Sequence, residues 1–229
     1  MNFRFSHRTN EYATHQPVLI EAFRKTTGPV VEFGCGHGST PLLHQLSLES
    51  GRLVVSIESD KAWIDQFRQK YECNHHTFIL TDCWSDTLRD ERVTEVDWGL
   101  VFVDQNPWEA RLETLLRFKD TAPYVILHDC DYFPTKGLFG EVIEPIKNPR
   151  NTGKRTYGPL FRYYKEFFPL EPWPHFSPTG PPTLLASNRY TCDWEIDFRK
   201  YGNGLSRELL IAIMRNGYHK ILGRGCWAK

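Results

Sequence analysis

Pro29-Val30-Val31-Glu32-Phe33-Gly34-Cys35-Gly36-His37-Gly38-Ser39-Thr40-Pro41 is the stretch that decides the fold. A short, mostly apolar run leads into three alternating glycines. Ser39 or Thr40 can then cap a helix, and Pro41 sits in its first turn, where a missing N–H does no harm. Glycines at such a turn let the backbone fold tightly and approach a ligand, with the helix N-terminus beside it. The same rhythm repeats outward. Leu53–Ile57 predicts a second strand, and Asp60 caps a helix whose Trp63, Ile64, Phe67 and Tyr71 share one face. Thr77–Leu80 reads as a third strand, Trp98–Val103 as a fourth and Tyr124–Leu127 as a fifth. Asn106-Pro107 opens a helix carrying Leu112, Leu115 and Leu116. Short apolar strands alternating with amphipathic helices predict an α/β fold with a parallel sheet covered on both faces.

Beyond residue 133 the character changes, because ten of the 15 prolines lie there and long uninterrupted elements are disfavoured. The sequence there predicts a helix from about Pro159 to Phe168 and a hairpin of about Leu170–Pro174 with Thr183–Ser187. A last helix is predicted from Ser206 to Gly217. The 229 residues suit one large domain or two small ones. Lysine plus arginine (28) cancels aspartate plus glutamate (28), which argues against nucleic acid or an anionic membrane as a partner held by bulk charge. Met1–Arg8 is too polar for a signal peptide, and no apolar run approaches membrane-spanning length. The six cysteines form no Cys-x-x-Cys pair and are expected as free thiols in a reducing, cytoplasmic setting. His75-His76 is expected on a loop surface.

A dinucleotide-binding turn would want its third small residue at position 39, where Ser39 fits poorly; the third glycine is Gly38 instead. That spacing speaks against an NAD-dependent oxidoreductase. Glu32, inside the strand two residues before the first glycine, suits a ligand with a cationic amino group better than a pyrophosphate. Glu32, Glu58, Asp82, Asp104 and Asp129 lie in or just after five successive strands, and ligands of open α/β sheets bind outside those carboxyl ends.

On these residues the chain resembles the class I S-adenosylmethionine-dependent methyltransferases, whose first motif is acidic-x-Gly-x-Gly-x-Gly. The resemblance covers about residues 28–132, and 135–190 more loosely. It implies a Rossmann-like, doubly wound, mostly parallel seven-stranded sheet with a C-terminal antiparallel hairpin, in a domain of residues 1–190 followed by an extension, 191–229. It implies that Glu32, Gly34, Gly36 and Gly38 form the loop around the methionine part of S-adenosylmethionine. Glu58 would accept from the ribose hydroxyls and Asp82 from the adenine amino group, with Cys83 following and Trp84 covering the adenine face.

In catechol-type and sugar O-methyltransferases, which the chain also resembles, acidic residues after the fourth and fifth strands hold magnesium. The resemblance implies Asp104, Asp129 and Asp131 as ligands of Mg2+. The lysine it implies shortly after Asp104 is absent, and Arg111 is the candidate to supply that charge. Without a metal, His128 is the natural general base beside Asp104 and Asp129. The implied reaction is methyl transfer to an oxygen of a small molecule or sugar-type acceptor.

Lys147, Arg150, Lys154, Arg155, Arg162 and Lys165 occur without an acidic residue between them, interleaved with Tyr157, Phe161, Tyr163 and Tyr164. Such a segment suits an anionic small molecule, an acidic glycan or RNA, or it is a solvated loop followed by an aromatic core helix. An Asn/Asp-Pro-Pro-aromatic motif is missing after the fourth strand, which speaks against DNA amino-methylation. Two alternatives stay open: an RNA methyltransferase using residues 147–165, and a catalytically silent scaffold that keeps the fold. The tail is a candidate for self-association, as in a homodimer.

Overall fold

The computed structural model describes residues 13–130, 160–167 and 181–196. In chain order these form α1 (Gln16–Lys25), β1 (Val30–Phe33), α2 (Thr40–Ser50), β2 (Val54–Glu58), α3 (Lys61–Tyr71), β3 (His76–Leu80), α4 (Trp84–Thr87), α5 (Glu91–Thr94), β4 (Leu100–Val103), α6 (Trp108–Phe118), β5 (Val125–Leu127), β6 (Tyr163–Phe167) and β7 (Thr183–Ser187). The strands make one seven-stranded sheet in the order β3-β2-β1-β4-β5-β7-β6. The first five pair in parallel, and β7 runs antiparallel between β5 and β6. This is the doubly wound arrangement with an antiparallel C-terminal hairpin that the sequence predicts.

The reason is visible strand by strand. β1 is buried along its whole length, so both of its faces must be apolar or paired. Val31 and Phe33 turn one way, onto a core shared with Val101, Val103, Leu112, Leu115 and Phe118, which brings α6 to that face. Val30 turns the other way with Leu100, Phe102 and Ile126, onto Val18, Leu19 and Phe23 of α1 and Leu42, Leu43 and Leu46 of α2. Of the caps read from sequence, that of Asp60 forms, whereas Ser39 makes no side-chain cap bond and α6 starts after Pro107 without one. Asp60 accepts from the Trp63 N–H at 2.9 Å, and α2 begins at Thr40-Pro41 after Ser39. Gly51 ends α2 in the left-handed conformation, its N–H returning to the Ser47 carbonyl.

Three expectations are corrected. Residues 163–167 are a strand, not part of a helix over 159–168: Tyr163, Tyr164 and Phe167 are good strand formers, and the ladder from Tyr163↔Ser187 to Phe167↔Thr183 supplies the pairing. The partner of Thr183–Ser187 is therefore β6; Leu170–Pro174 lies outside the described residues. His76 is not on a loop surface but fully buried at the start of β3, and His75 alone is exposed. α1 goes unread in the sequence, although Val18, Leu19, Ala22 and Phe23 have helical spacing behind Pro17.

Residues 191–196 pack on the domain: Cys192, Trp194 and Ile196 join the core on the α1 face, and Lys165 Nζ donates to the Trp194 carbonyl. The rest of the tail, with its expected helix at Ser206–Gly217, lies outside the described residues, as do Lys147 to Arg155 of the basic segment. Among the described residues no disulfide joins Cys35, Cys73, Cys83, Cys130 or Cys192. Among the described residues no helix is long and apolar enough to cross a membrane.

Candidate functional site

The strand order reverses between β1 and β4: the chain first winds outward to β3, then returns to the other side of β1. A crevice opens at such a reversal, outside the carboxyl ends of the strands. Gly34 follows β1 there and Asp104 follows β4. Gly34 adopts φ +91°, and a Cβ on it would lie 2.6 Å from the carbonyl carbon and oxygen of Asp104. The first glycine is thus required by the neighbouring strand.

Gly38 has a different neighbour. A Cβ there would meet His15 Cε1 at 2.9 Å, and the Gly38 carbonyl accepts from Gln16 Nε2 at 2.8 Å. The segment Ala13–Gln16 leading into α1 therefore seats on the glycine loop. Gly36 is unlike both: a Cβ would meet nothing nearer than Ser39 Oγ at 3.5 Å, an ordinary contact, and its φ is not positive. Within the described protein nothing asks for glycine at 36. A ligand approaching the backbone would.

The loop is held from below. Glu32 is fully buried at the end of β1 and accepts from Thr40 Oγ1 at 3.0 and 3.1 Å and from Ser56 Oγ, which stands beside it in register on β2. Thr40 Oγ1 in turn accepts from the Gly36 N–H at 2.9 Å. Burial raises the Glu32 pKa from 4.5 to about 7, against the pull of the surrounding hydroxyls. Since the Ser56 proton goes to Glu32, His76 Nε2 must donate to Ser56 Oγ at 2.8 Å; burial, helped by His44, lowers the His76 pKa to about 3, so the ring is neutral. Glu58 ends β2 with a largely buried carboxylate that accepts from the N–H groups of Cys35 (3.0 Å), Ser59 (2.6 Å) and Asp60 (3.0 Å). Trp63 Nε1 donates to the Cys35 carbonyl at 2.7 Å, pinning the same turn to α3.

Asp82 and Cys83 follow β3 and are exposed at the rim. Trp84 is not a free plate above the crevice. Its ring is buried in the α6-side core against Phe33, and Nε1 donates to the Asn106 carbonyl at 2.8 Å.

Asp104, His128 and Asp129 do come together, with ligand atoms within 4.8 Å of one another. Both carboxylates are between a fifth and a quarter exposed, while His128 lies behind them, 3% exposed. Asp129 takes φ 51°, a left-handed conformation that aspartate tolerates better than most residues. Its carboxylate thereby meets His128 Nδ1 at 3.6 Å and Arg111 Nη1 at 3.1 Å. Asp104 meets His128 Nδ1 at 3.2 Å and Arg111 Nη2 at 3.0 Å. Burial works to raise the Asp104 pKa, but His128 and Arg111 outweigh it and hold the carboxyl below its ordinary range. For His128 burial works downward, and the Asp104 carboxylate outweighs it, so the imidazole is raised above 6.5.

Hydrogen-bond arithmetic agrees. Thr14 Oγ1 gives its one proton to the Pro181 carbonyl at 2.7 Å, so it accepts from His128 Nε2 at 3.3 Å; Nδ1 faces only carboxylate oxygens. Both ring nitrogens carry hydrogen. Asp131 lies outside the described residues. Sequence reasoning missed Thr14, His15 and Gln16, which precede or begin the unread α1, and the loop-supporting roles of Thr40, Ser56 and His76.

No family model and no curated protein matches the chain. Solved structures do. An O-methyltransferase from Bacillus cereus in complex with SAH aligns at TM-score 0.50 and 15% identity, over 76% of this chain and 79% of that one. The Podospora anserina methyltransferase PaMTH1, bound to SAH, aligns at 0.47 and 15%, over 76% of each chain. The bifunctional kinase-methyltransferase WbdD aligns at 0.44 and 17%, over 81% of this chain, which spans only 40% of WbdD. With seven strands ordered β3-β2-β1-β4-β5-β7-β6 and the glycine loop at the reversal, the chain has the class I methyltransferase fold.

Proposed function

We propose that the chain moves a methyl group from S-adenosylmethionine to an oxygen of a small-molecule or sugar-type acceptor. The observation that carries the reading is the adjacency of two things at the β1/β4 reversal: a glycine loop with an unexplained glycine at 36, and a pair of partly open carboxylates, Asp104 and Asp129. Open space beside Gly36, where a Cβ would meet only Ser39 Oγ, fits close approach of a cofactor to the backbone. Glu58 is the group to accept from ribose hydroxyls, with Asp82 and Cys83 at the rim for the adenine edge; Glu32 holds the loop from beneath. When bound, S-adenosylmethionine supplies an electrophilic methyl group on a sulfonium.

The residues of the chain then orient the acceptor and hold its proton. Asp104 and Asp129, not His128, reach the surface, so a carboxylate receives the acceptor's O–H. The Asp104–His128 pair must first have lost one proton to solvent, after which the acceptor's proton rests on the pair. Holding the reacting groups together can supply several kcal/mol of the barrier.

The metal implied by the resemblance fits these residues poorly. Asp104, His128 and Asp129 offer donor atoms close together, but the arginine fork of Arg111 already lies against both carboxylates.

Calorimetry with S-adenosylmethionine and S-adenosylhomocysteine tests the reading. Wild type is expected to bind both, and Glu58→Ala to lose about tenfold or more, since a hydrogen bond to a charged group contributes about 1.5–3 kcal/mol. A folded wild type that binds neither compound would make the chain a scaffold and end this reading.

A further inference from the structure

The cluster at the ends of β4 and β5 closes on itself. Arg111, in the first turn of α6, is 7% exposed and has five N–H donors. Five acceptors surround it: the Gln105 carbonyl at 2.7 Å from Nε, the His128 carbonyl at 2.9 Å and Asp129 Oδ2 at 3.1 Å from Nη1, and the Asp104 carbonyl at 3.3 Å and Asp104 Oδ1 at 3.0 Å from Nη2. Four of these contacts are hydrogen bonds, and the fifth, Nη2 to Asp104 Oδ1, is an ion pair. The carboxylates divide the same way: Asp104 turns Oδ1 to Arg111 and Oδ2 to His128, and Asp129 turns Oδ2 to Arg111 and Oδ1 to His128. Two negative groups face two positive ones, and all four carboxylate oxygens are engaged.

A divalent ion placed on these oxygens would sit about 2.1 Å from them, crowded against the positive guanidinium. It would also leave a buried excess of positive charge, which a mostly desolvated site does not tolerate. Displacing Arg111 instead would strip hydrogen bonds from three backbone carbonyls at once.

We infer that Arg111 is the resident cation of this site, standing where a divalent metal would otherwise hold Asp104 and Asp129. It is a positioning residue: from α6 it fixes the two strand-end carboxylates in a shared orientation and excludes metal from between them. The inference rests on the methyltransferase reading for its purpose, but its test reads the site without cofactor or acceptor.

The test is a titration with Mn2+, followed by electron paramagnetic resonance of the free ion and by thermal melting. Wild type is expected to show no saturable site. Arg111→Met, which keeps the apolar stem and removes the donors, is expected to gain one Mn2+ site, lost again when Asp104→Asn is added. A wild-type Mn2+ site that Asp104→Asn abolishes would overturn the inference. So would a folded Arg111→Met that gains no site, because the arginine would then not be what keeps the ion out. Should that variant fail to fold, nuclear magnetic resonance of wild type decides: the clamp of four hydrogen bonds and an ion pair predicts Arg111 guanidinium protons protected from solvent exchange, and rapid exchange would refute it.

Discussion

At Gly34 and Gly36 the same substitution has opposite expected consequences. Gly34→Ala places a Cβ against the Asp104 backbone at a φ of +91°, so stability should fall by about 2–4 kcal/mol in chemical denaturation. Gly36→Ala meets only Ser39 Oγ at 3.5 Å, so the protein should melt near the wild-type temperature while S-adenosylmethionine binding weakens by about tenfold or more. Equal affinity in Gly36→Ala would mean that the cofactor does not approach the backbone at position 36. Glu32 makes a separate test. Its pKa is about 7 in the folded protein against 4.5 unfolded, so between those values the native state holds a proton that the unfolded state has released. Stability therefore decreases as pH rises from about 4.5 to about 7, the reverse of an ion-paired carboxylate. Glu32→Gln mimics the protonated form and should gain relative to wild type between pH 4.5 and pH 8, by up to about 3 kcal/mol. A stability difference that ignores pH would mean that Glu32 is not titrating in this range.

Among the elements, α6 carries most of the consequence. Leu115 is fully buried in the core against β4 and β5, one turn after Arg111 on the same face of the helix. Leu115→Ala should cost about 2–5 kcal/mol in urea denaturation, and a loss below about 1 kcal/mol would contradict the packing described. β6 shows how an element escapes a reading by period. The aromatic spacing of Phe161, Tyr163, Tyr164 and Phe167 serves a helix face or a strand, and the choice falls to a ladder with Thr183–Ser187, which is remote in sequence. The parallel strands were legible because each is a short apolar run ended by, or followed within two residues by, a glycine or an acidic residue, and because Asp60 caps the helix after the second. α1 lacked such a start: His15, not a serine, threonine, aspartate or asparagine, stands directly before it.

For the molecule as a whole, the Asp104–His128 pair predicts the pH profile of turnover. His128 is held above its ordinary pKa of 6.5 by Asp104, despite burial, so the proton-accepting form of the pair accumulates only as pH rises past that raised value. Methyl transfer should increase with pH through an apparent pKa above 6.5, and His128→Asn should remove that limb from kcat. A flat profile from pH 6 to pH 9 in wild type would exclude the pair as the proton acceptor. The sign for stability is opposite: the charged His128 contributes below 6.5, and its contribution is lost as pH rises through the folded value.

The sequence by itself determined the alternation of strands and helices, the glycine loop after β1 and the line of acidic residues at the strand ends. Each of these is local: a few neighbouring residues set backbone conformation and burial whatever the rest of the chain does. Only the tertiary structure decided what those acids touch. Arg111 comes from a helix and His128 from just after the fifth strand to meet Asp104, Thr14 reaches across to His128 and Pro181, and His76 of β3 meets Ser56 of β2. These partners are separated by 7 to 167 positions in the chain, and no local periodicity encodes which of them will meet. The charge balance at the β4 and β5 ends belongs to the folded arrangement, since it exists only when two loops and one helix turn enclose the same small volume.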